Sequence, residues 1–439
     1  MGLTSTWLAI LAIVLAAGGL TGSALWIWPR LSARTWPAVA GRVGVLAGTQ
    51  ALTLMALGLL VNNYFGFYGS WSDLLGTGSA PVPAVREVEA PDSAPRGVAP
   101  APEEVNPGGR AHGIQVIRSA NVYIPGKTHK SAGRLSEVMI PGAATGLSTL
   151  AYIYLPPQYF AKEYENTRFP VIVGLTGYPG DPRNLISRMN MPAVAARAIE
   201  EGRMPPTVLV LTRPTVAPPR DTECMDVPGG PQVESYFTRD LKRAVAGSLR
   251  VATTAAGWGV LGGSTGGYCA LKLSMRHPEA YSAAVSLSGY FQSPVDATTG
   301  DLFGGSRRLR NENDLMWRLS HLPHPPVSVL VTTSRQGESN YLSTLRFLDA
   351  VRSPMRAASL ILPSGGHNFT TWNRELPQAL PGWPAVSTPG RTPRRRSRCP
   401  PRLAQAAHDE LTWKFSGSRR ATARRDLPRH ARFVMTCRF

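Results

Sequence analysis

Apolar positions along the chain follow three successive patterns. From Met1 to Pro29 no side chain is charged, and Trp7 to Trp28 (WLAILAIVLAAGGLTGSALWIW) is apolar on every face. At about 1.5 Å per residue it is long enough to cross a bilayer, which predicts a transmembrane helix at about 7–28. A second uncharged stretch, Val43 to Ser72, predicts a second span at about 43–61, followed by an interfacial belt carrying Tyr64, Phe65, Phe67, Tyr68 and Trp71. Residues 76–112 then lose all apolar periodicity and are rich in Pro, Ala, Gly and Glu, the composition of an extended, semi-rigid spacer. From 113 to about 384 short apolar runs alternate with amphipathic stretches across Gly/Pro turns. Leu135–Ile140 and Leu150–Leu155 predict an antiparallel lead-in. Val171–Leu175, Val208–Thr212, Gly259–Gly262, Ala283–Leu287, Val327–Thr332 and Ser359–Leu362 have the shape of buried parallel strands. Helical periods lie between them at Met191–Glu201, Tyr236–Leu249, Gly267–Arg276 and Tyr341–Val351. This alternation predicts an α/β domain, a mostly parallel sheet with helices on both faces, behind a two-helix membrane anchor spanning 1–75.

Charge adds direction to this layout. The chain of 439 residues holds 47 Lys and Arg against 28 Asp and Glu, and its net charge of +19 suggests a nucleic-acid binder until it is located. From Arg391 onward 14 basic residues face three acidic ones, so the tail carries most of the excess and the nucleic-acid reading fails. The tail, 385–439, has no sustained amphipathic period. It is expected to be disordered or an out-of-frame continuation, since the helical stretch TTWNRELPQALPGW breaks at Pro381; the alternative is an electrostatic patch for anionic polymers or headgroups. Arg30, Arg34 and Arg42 lie between the two spans, and the positive-inside rule puts that loop in the cytoplasm and the α/β domain on the extracytoplasmic face. A cleavable signal peptide is the competing reading of the first span. The missing Lys/Arg n-region and the length of the apolar run weigh against it. Four cysteines exclude a disulfide scaffold.

The chemistry sits at Gly262-Gly263-Ser264-Thr265-Gly266. This G-x-S-x-G follows the apolar run WGVL and precedes the helical GYCALKLSMRH, the strand–turn–helix setting in which a serine hydroxyl projects above a sheet. A phosphate-binding βα turn is the competing reading. Serine needs a base, and of the downstream histidines only His367 lies in a Gly-rich loop after the last predicted strand. His277 at a helix end reads as a dipole partner, His321 and His324 lie in a Pro-rich loop, and His408 and His430 lie in the tail. Glu338 is the one carboxylate in the loop after Val327–Thr332 and is expected to orient the imidazole, the alternative being a surface glutamate. Oxyanion donors are expected at the Thr265 N–H and in the loop after VIVGL, at the Tyr178 N–H with Gly177 second, because Pro179 has none. Cys224, in DTECMD, and Cys269, on the nucleophile helix, fall at the same end of the sheet. They are either a disulfide or two buried thiols.

Four stretches, TLAYIYLPPQY (149–159), PVIVGLTGYPGDP (170–182), GVLGGSTGGYCALKLSMRHPEAYSAAVSLSGY (259–290) and LPSGGHNFTTWNRELPQAL (362–380), together resemble the esterase family of α/β-hydrolases that includes esterase D type enzymes and bacterial mycolyltransferases. The anchor and linker resemble membrane-anchored actinobacterial members. The resemblance implies an α/β-hydrolase fold over 113–384, a Ser264–His367–Glu338 triad, no metal or organic cofactor, and a small-molecule, lipid or cell-wall ester substrate cleaved or transferred through an acyl-enzyme. Leu175-Thr176-Gly177 departs from the family's common HGG loop, which bears on the second oxyanion donor rather than on the reaction. The competing class is a membrane-tethered binding module that keeps the fold without catalysis.

Overall fold

The computed structural model describes residues 5–65, 71–74, 86–88, 113–120, 124 and 131–387. The tail from 388, most of the spacer and residues 66–70 of the aromatic belt lie outside the described residues.

Ten strands form one sheet: β1 (Arg86–Val88), β2 (Gln115–Ala120), β3 (Arg134–Pro141), β4 (Ser148–Leu155), β5 (Val171–Leu175), β6 (Val208–Thr212), β7 (Trp258–Gly263), β8 (Ala283–Leu287), β9 (Ser328–Gln336) and β10 (Arg356–Ser364). Their spatial order is β1-β10-β9-β8-β7-β5-β6-β4-β3-β2. The block from β6 through β5, β7, β8 and β9 to β10 is parallel, while β2, β3 and β4 join at one edge and β1 at the other in antiparallel register. β5, β6 and β8 match their sequence-predicted bounds. β1 and β2 were not foreseen, and β1 falls inside the stretch read as a spacer. Both are short and lack clean apolar alternation, so nothing in the pattern separates them from loop.

The central strands are apolar at every position because each face is covered. Val171, Val173, Val208, Val210 and Val260 point into one core, with Leu241, Leu271 and Phe347 from the helices Leu241–Ser248, Thr265–Arg276 and Tyr341–Ala350. Their alternates Ile172, Leu209, Leu211 and Leu261 point into a second core, closed by the helices Met191–Glu200 and Phe369–Ser387. Met191, Ala195, Ala198 and Ile199 recur at helical spacing on the buried face, and each large side chain so buried contributes about 1.5–3 kcal/mol. The last helix corrects the expected break at Pro381: it runs on to Ser387 through Pro377, Pro381 and Pro384. Burial of Trp372, Leu376, Ala379 and Leu380 against the sheet outweighs the three missing amide donors.

The parallel register brings the ends of five strands to one rim. Leu175 of β5 lies beside Gly262 of β7, Gly263 beside Leu287 of β8, Leu287 beside Thr332 of β9, and Gln336 beside Ser364 of β10. The loops after β5, β7, β9 and β10 therefore leave the sheet at the same edge, where ligand sites of open parallel sheets form.

At the N-terminus, Thr6–Arg30 and Trp36–Asn63 are helices long and apolar enough to cross a membrane. They pack through Ala12 and Ala16 against Ala56 and Leu59, and the three alanines let the backbones approach closely. Arg42 lies within the second helix rather than in the turn between the two. Its guanidinium reaches back to the Ala38 carbonyl at 3.4 Å and the Ala33 carbonyl at 3.2 Å, so the charge still sits at the end that holds Arg30 and Arg34.

Candidate active site

Ser264 follows directly from the end of β7 and precedes the 265–276 helix with φ +56° and ψ −124°, a left-handed-region strain rare outside glycine. Its N–H donates to the Leu287 carbonyl at 3.0 Å, which ties the turn to β8. Glycines on either side make the turn possible: a Cβ on Gly262 would come within 2.4 Å of Gly266, and one on Gly266 within 2.4 Å of the Thr176 carbonyl. A Cβ at Gly177 would stand 3.1 Å from the Ser264 Cβ, so the loop after β5 lies directly against the serine. Among the described residues the N–H groups of Gly177, Tyr178 and Thr265 donate to no backbone carbonyl outside the helices and strands.

Ser264, Thr265, Tyr178, Glu338 and His367 line one cavity of about 1020 Å³. Asn63, in the last turns of the second apolar helix, lines it as well. His367 stands just beyond β10, its ring edge-on to Trp372 at 5.4 Å, and burial pushes its pKa down to about 4. Glu338 follows Gly337 in the loop after β9. Burial pushes its carboxyl up to about 7, opposed by the nearby hydroxyls of Ser288, Ser334 and Thr333. Neither carboxylate oxygen is within hydrogen-bonding geometry of a described residue. The structure thus gathers serine, histidine and glutamate around one space. It records no hydrogen bond between any two of them among the described residues, and contacts of this kind are often long before substrate closes them.

Several groups here escaped the sequence reading. Glu375, fully buried on the last helix, accepts from the Thr332 hydroxyl at 2.6 Å, and burial together with the Glu338 charge raises its pKa well above the carboxylate range. Its spacing from Trp372, three residues on and four before Ala379, places a carboxyl on the apolar face and was the available signal. Trp372, edge-on to His367, donates its indole N–H to the Ser288 hydroxyl at 3.0 Å. Asp221, Glu223 and Tyr290 also line the cavity.

His277 lies away from the cavity. Its Nε2 meets Glu234 at 2.7 Å and its Nδ1 meets Glu279 at 2.9 Å; burial lowers its pKa, but these two carboxylates outweigh burial and raise it to about 9. His321 stacks on Trp317 at 4.4 Å, and His408 and His430 lie outside the described residues. Cys224 and Cys269 are bonded, S–S 2.12 Å with Cα atoms 5.7 Å apart, and join the loop after β6 to the nucleophile helix. Closing a loop of 45 residues constrains the unfolded chain, so Cys269→Ala is expected to lower stability by about 2–4 kcal/mol, read as a fall in denaturation midpoint that is reproduced in wild type by reductant. An unchanged midpoint in both would show the link to be dispensable. Among the described residues no group of three or more His, Cys, Asp or Glu is arranged to hold a metal ion.

A mostly parallel sheet with a strained serine between β7 and its following helix defines an esterase-type α/β-hydrolase. The family model described as "Putative esterase" matches residues 142–383, more than half of the chain, and the chain belongs to that family. It is similar to an uncharacterized protein of Corynebacterium glutamicum, 25% identical over 268 residues that make up 57% of this chain and 62% of the relative. The chain therefore spans less than two thirds of that relative's length. Among solved structures, an S-formylglutathione hydrolase from Agrobacterium tumefaciens shares the fold at a TM-score of 0.51 and 13% identity, covering 62% of this chain and 100% of its own. A ferulic acid esterase aligns at 0.49 with 17% identity, over 57% of this chain and 97% of its own.

Proposed function

We propose that the protein is a membrane-anchored serine esterase or acyltransferase whose catalytic domain faces the extracytoplasmic side. The observation that carries this reading is Ser264 held in a left-handed backbone conformation at the mouth of a cavity that also holds His367, with the N–H groups of Tyr178 and Thr265 beside it. In the proposed reaction the Ser264 hydroxyl attacks an ester carbonyl while His367 takes its proton. The Thr265 N–H and the Tyr178 or Gly177 N–H stabilise the tetrahedral oxyanion, and His367 then returns the proton to the departing alcohol. Glu338 holds the imidazole tautomer and steadies the imidazolium that forms. Water, or a second alcohol, releases the acyl group from Ser264 by the reverse sequence. A Glu338 carboxyl that ionises near 7 is available at and above that pH to orient neutral His367 and then to balance the imidazolium.

Two observations support the proposed side of the membrane. Arg30, Arg34 and Arg42 all gather at the turn between the apolar helices, the end the positive-inside rule assigns to the cytoplasm. The Cys224–Cys269 bond belongs to an oxidising compartment. Asn63, towards the opposite end of the second helix, lines the cavity, so in this reading the cavity would open close to the membrane surface, where lipid or wall esters would be met.

The test uses the full-length protein in detergent with a fluorophosphonate probe. Wild type is expected to be labelled and Ser264→Ala to be unlabelled at equal folding. Equal labelling of both, or labelling of neither, would favour the binding-module alternative.

A further inference from the structure

One wall of the cavity is acidic and takes no part in the chemistry above. The loop after β6 carries Asp221, Thr222, Glu223 and Cys224, all buried, and both Glu223 and Cys224 sit in the left-handed region, φ +50° and +52°. Two consecutive residues in this region persist only where their surroundings hold them. Here the holding is evident: Cys224 is bonded to the nucleophile helix, and Lys272 of that helix, fully buried, donates to the Glu223 carbonyl at 2.7 Å and to Asn313 at 3.1 Å. The result is a fixed Glu223 side chain beside the reaction centre. Its Oε1 accepts the Tyr290 hydroxyl at 2.6 Å, and that hydroxyl also lies 3.0 Å from the Oγ1 of Thr265, the residue after the nucleophile. Its Oε2 is buried with no hydrogen-bond partner among the described residues. Asp221 lines the same wall and accepts the Glu223 N–H at 3.1 Å.

A buried carboxyl oxygen without a partner carries a desolvation penalty that a ligand can remove. Resting on the serine-esterase reading, we propose that Glu223, with Asp221 behind it, forms a subsite beside Ser264 that hydrogen-bonds a hydroxyl of the substrate, so that esters of polyhydroxy compounds are preferred over esters of plain alkanols. The chemistry matches. Burial and the neighbouring Asp221 raise the pKa of Glu223 well above the ordinary carboxylate value, outweighing Tyr290 and Lys272, which favours the neutral carboxyl. A neutral carboxyl offers one donor and one acceptor, as a hydroxyl does, and binding needs no counter-ion. A site built this way rejects an analogue lacking the hydroxyl because its own polar atoms stay unpaired.

Glyceryl monobutyrate and propyl butyrate share the acyl chain and a three-carbon alcohol and differ by two hydroxyls. With the full-length protein in detergent, the ratio of kcat/KM for the first over the second is expected to be at least about tenfold in wild type and to fall about tenfold in Glu223→Met, the loss of one hydrogen bond to a buried group. Glu223→Gln, which keeps a donor and an acceptor, should retain most of the ratio. Tyr290→Phe, which frees the Glu223 carboxyl at nearly constant volume, should lower it severalfold. A wild-type ratio near one, an unchanged ratio in Glu223→Met, or equal losses on both esters would overturn the subsite. Should Glu223→Met fail to fold, an unchanged ratio in Tyr290→Phe overturns it instead. Wild type inert towards both esters overturns the esterase reading and the subsite with it.

Discussion

Replacing His367 by alanine is expected to lower kcat by about 10⁴-fold or more on any soluble ester, and to slow fluorophosphonate labelling of Ser264 in parallel, because an unassisted serine hydroxyl is a poor nucleophile at neutral pH. Stability should change little: the ring is only partly buried, and its contact with Trp372 is edge-on. The pH dependence carries the same argument. Attack requires His367 neutral and, for orientation, Glu338 ionised. Burial holds the histidine down at about 4, so it is already neutral through the mildly acidic range, whereas burial holds the glutamate up at about 7. Activity is therefore expected to be lost as pH falls through about 7, with kcat/KM rising through an apparent pKa there and levelling above it. That pKa belongs to the interacting carboxyls and imidazole together rather than to one residue. A His367→Ala enzyme within tenfold of wild type, or a profile flat between pH 5 and 8, would contradict the assignment.

The parallel block was legible because strands such as VIVGL and VLVLT, covered on both faces, must be apolar at every position, and few other elements of that length look alike. The elbow was legible for a related reason: Gly262 and Gly266 are imposed by backbone contacts closer than any side chain allows. β1 and β2 were not, since edge strands bury one face or none and pair largely through backbone groups that sequence does not distinguish. Pro381 misled because local propensity counts its missing amide and cannot see Leu376, Ala379 and Leu380 packed against the sheet. The acidic wall was missed although Cys224 was singled out. Only the fold turns Asp221 and Glu223 inward, where a charged-looking loop would ordinarily be solvated.

Two buried carboxyls, Glu338 in the cavity and Glu375 interacting with it from the last helix, raise the question of which one serves the imidazole, and substitution separates them. Glu338→Gln is expected to lower kcat by about 10⁴-fold with little change in KM, because an amide can hold the imidazole in the wrong tautomer and cannot stabilise the imidazolium. Glu375→Gln is expected to stay within a few-fold of wild type: Glu375 faces Thr332, and burial with the Glu338 charge favours its neutral form, which the amide resembles. Its effect should appear in stability instead. The folded chain holds a proton on Glu375 that an unfolded glutamate releases above about pH 4.3. Wild type therefore loses stability relative to Glu375→Gln as pH rises from 5 towards 8, and the gap in melting temperature widens over that range. The opposite pattern, kcat lost in Glu375→Gln and kept in Glu338→Gln, would move the orienting role from the loop after β9 to the last helix, and with it the direction from which the imidazole is held against Ser264.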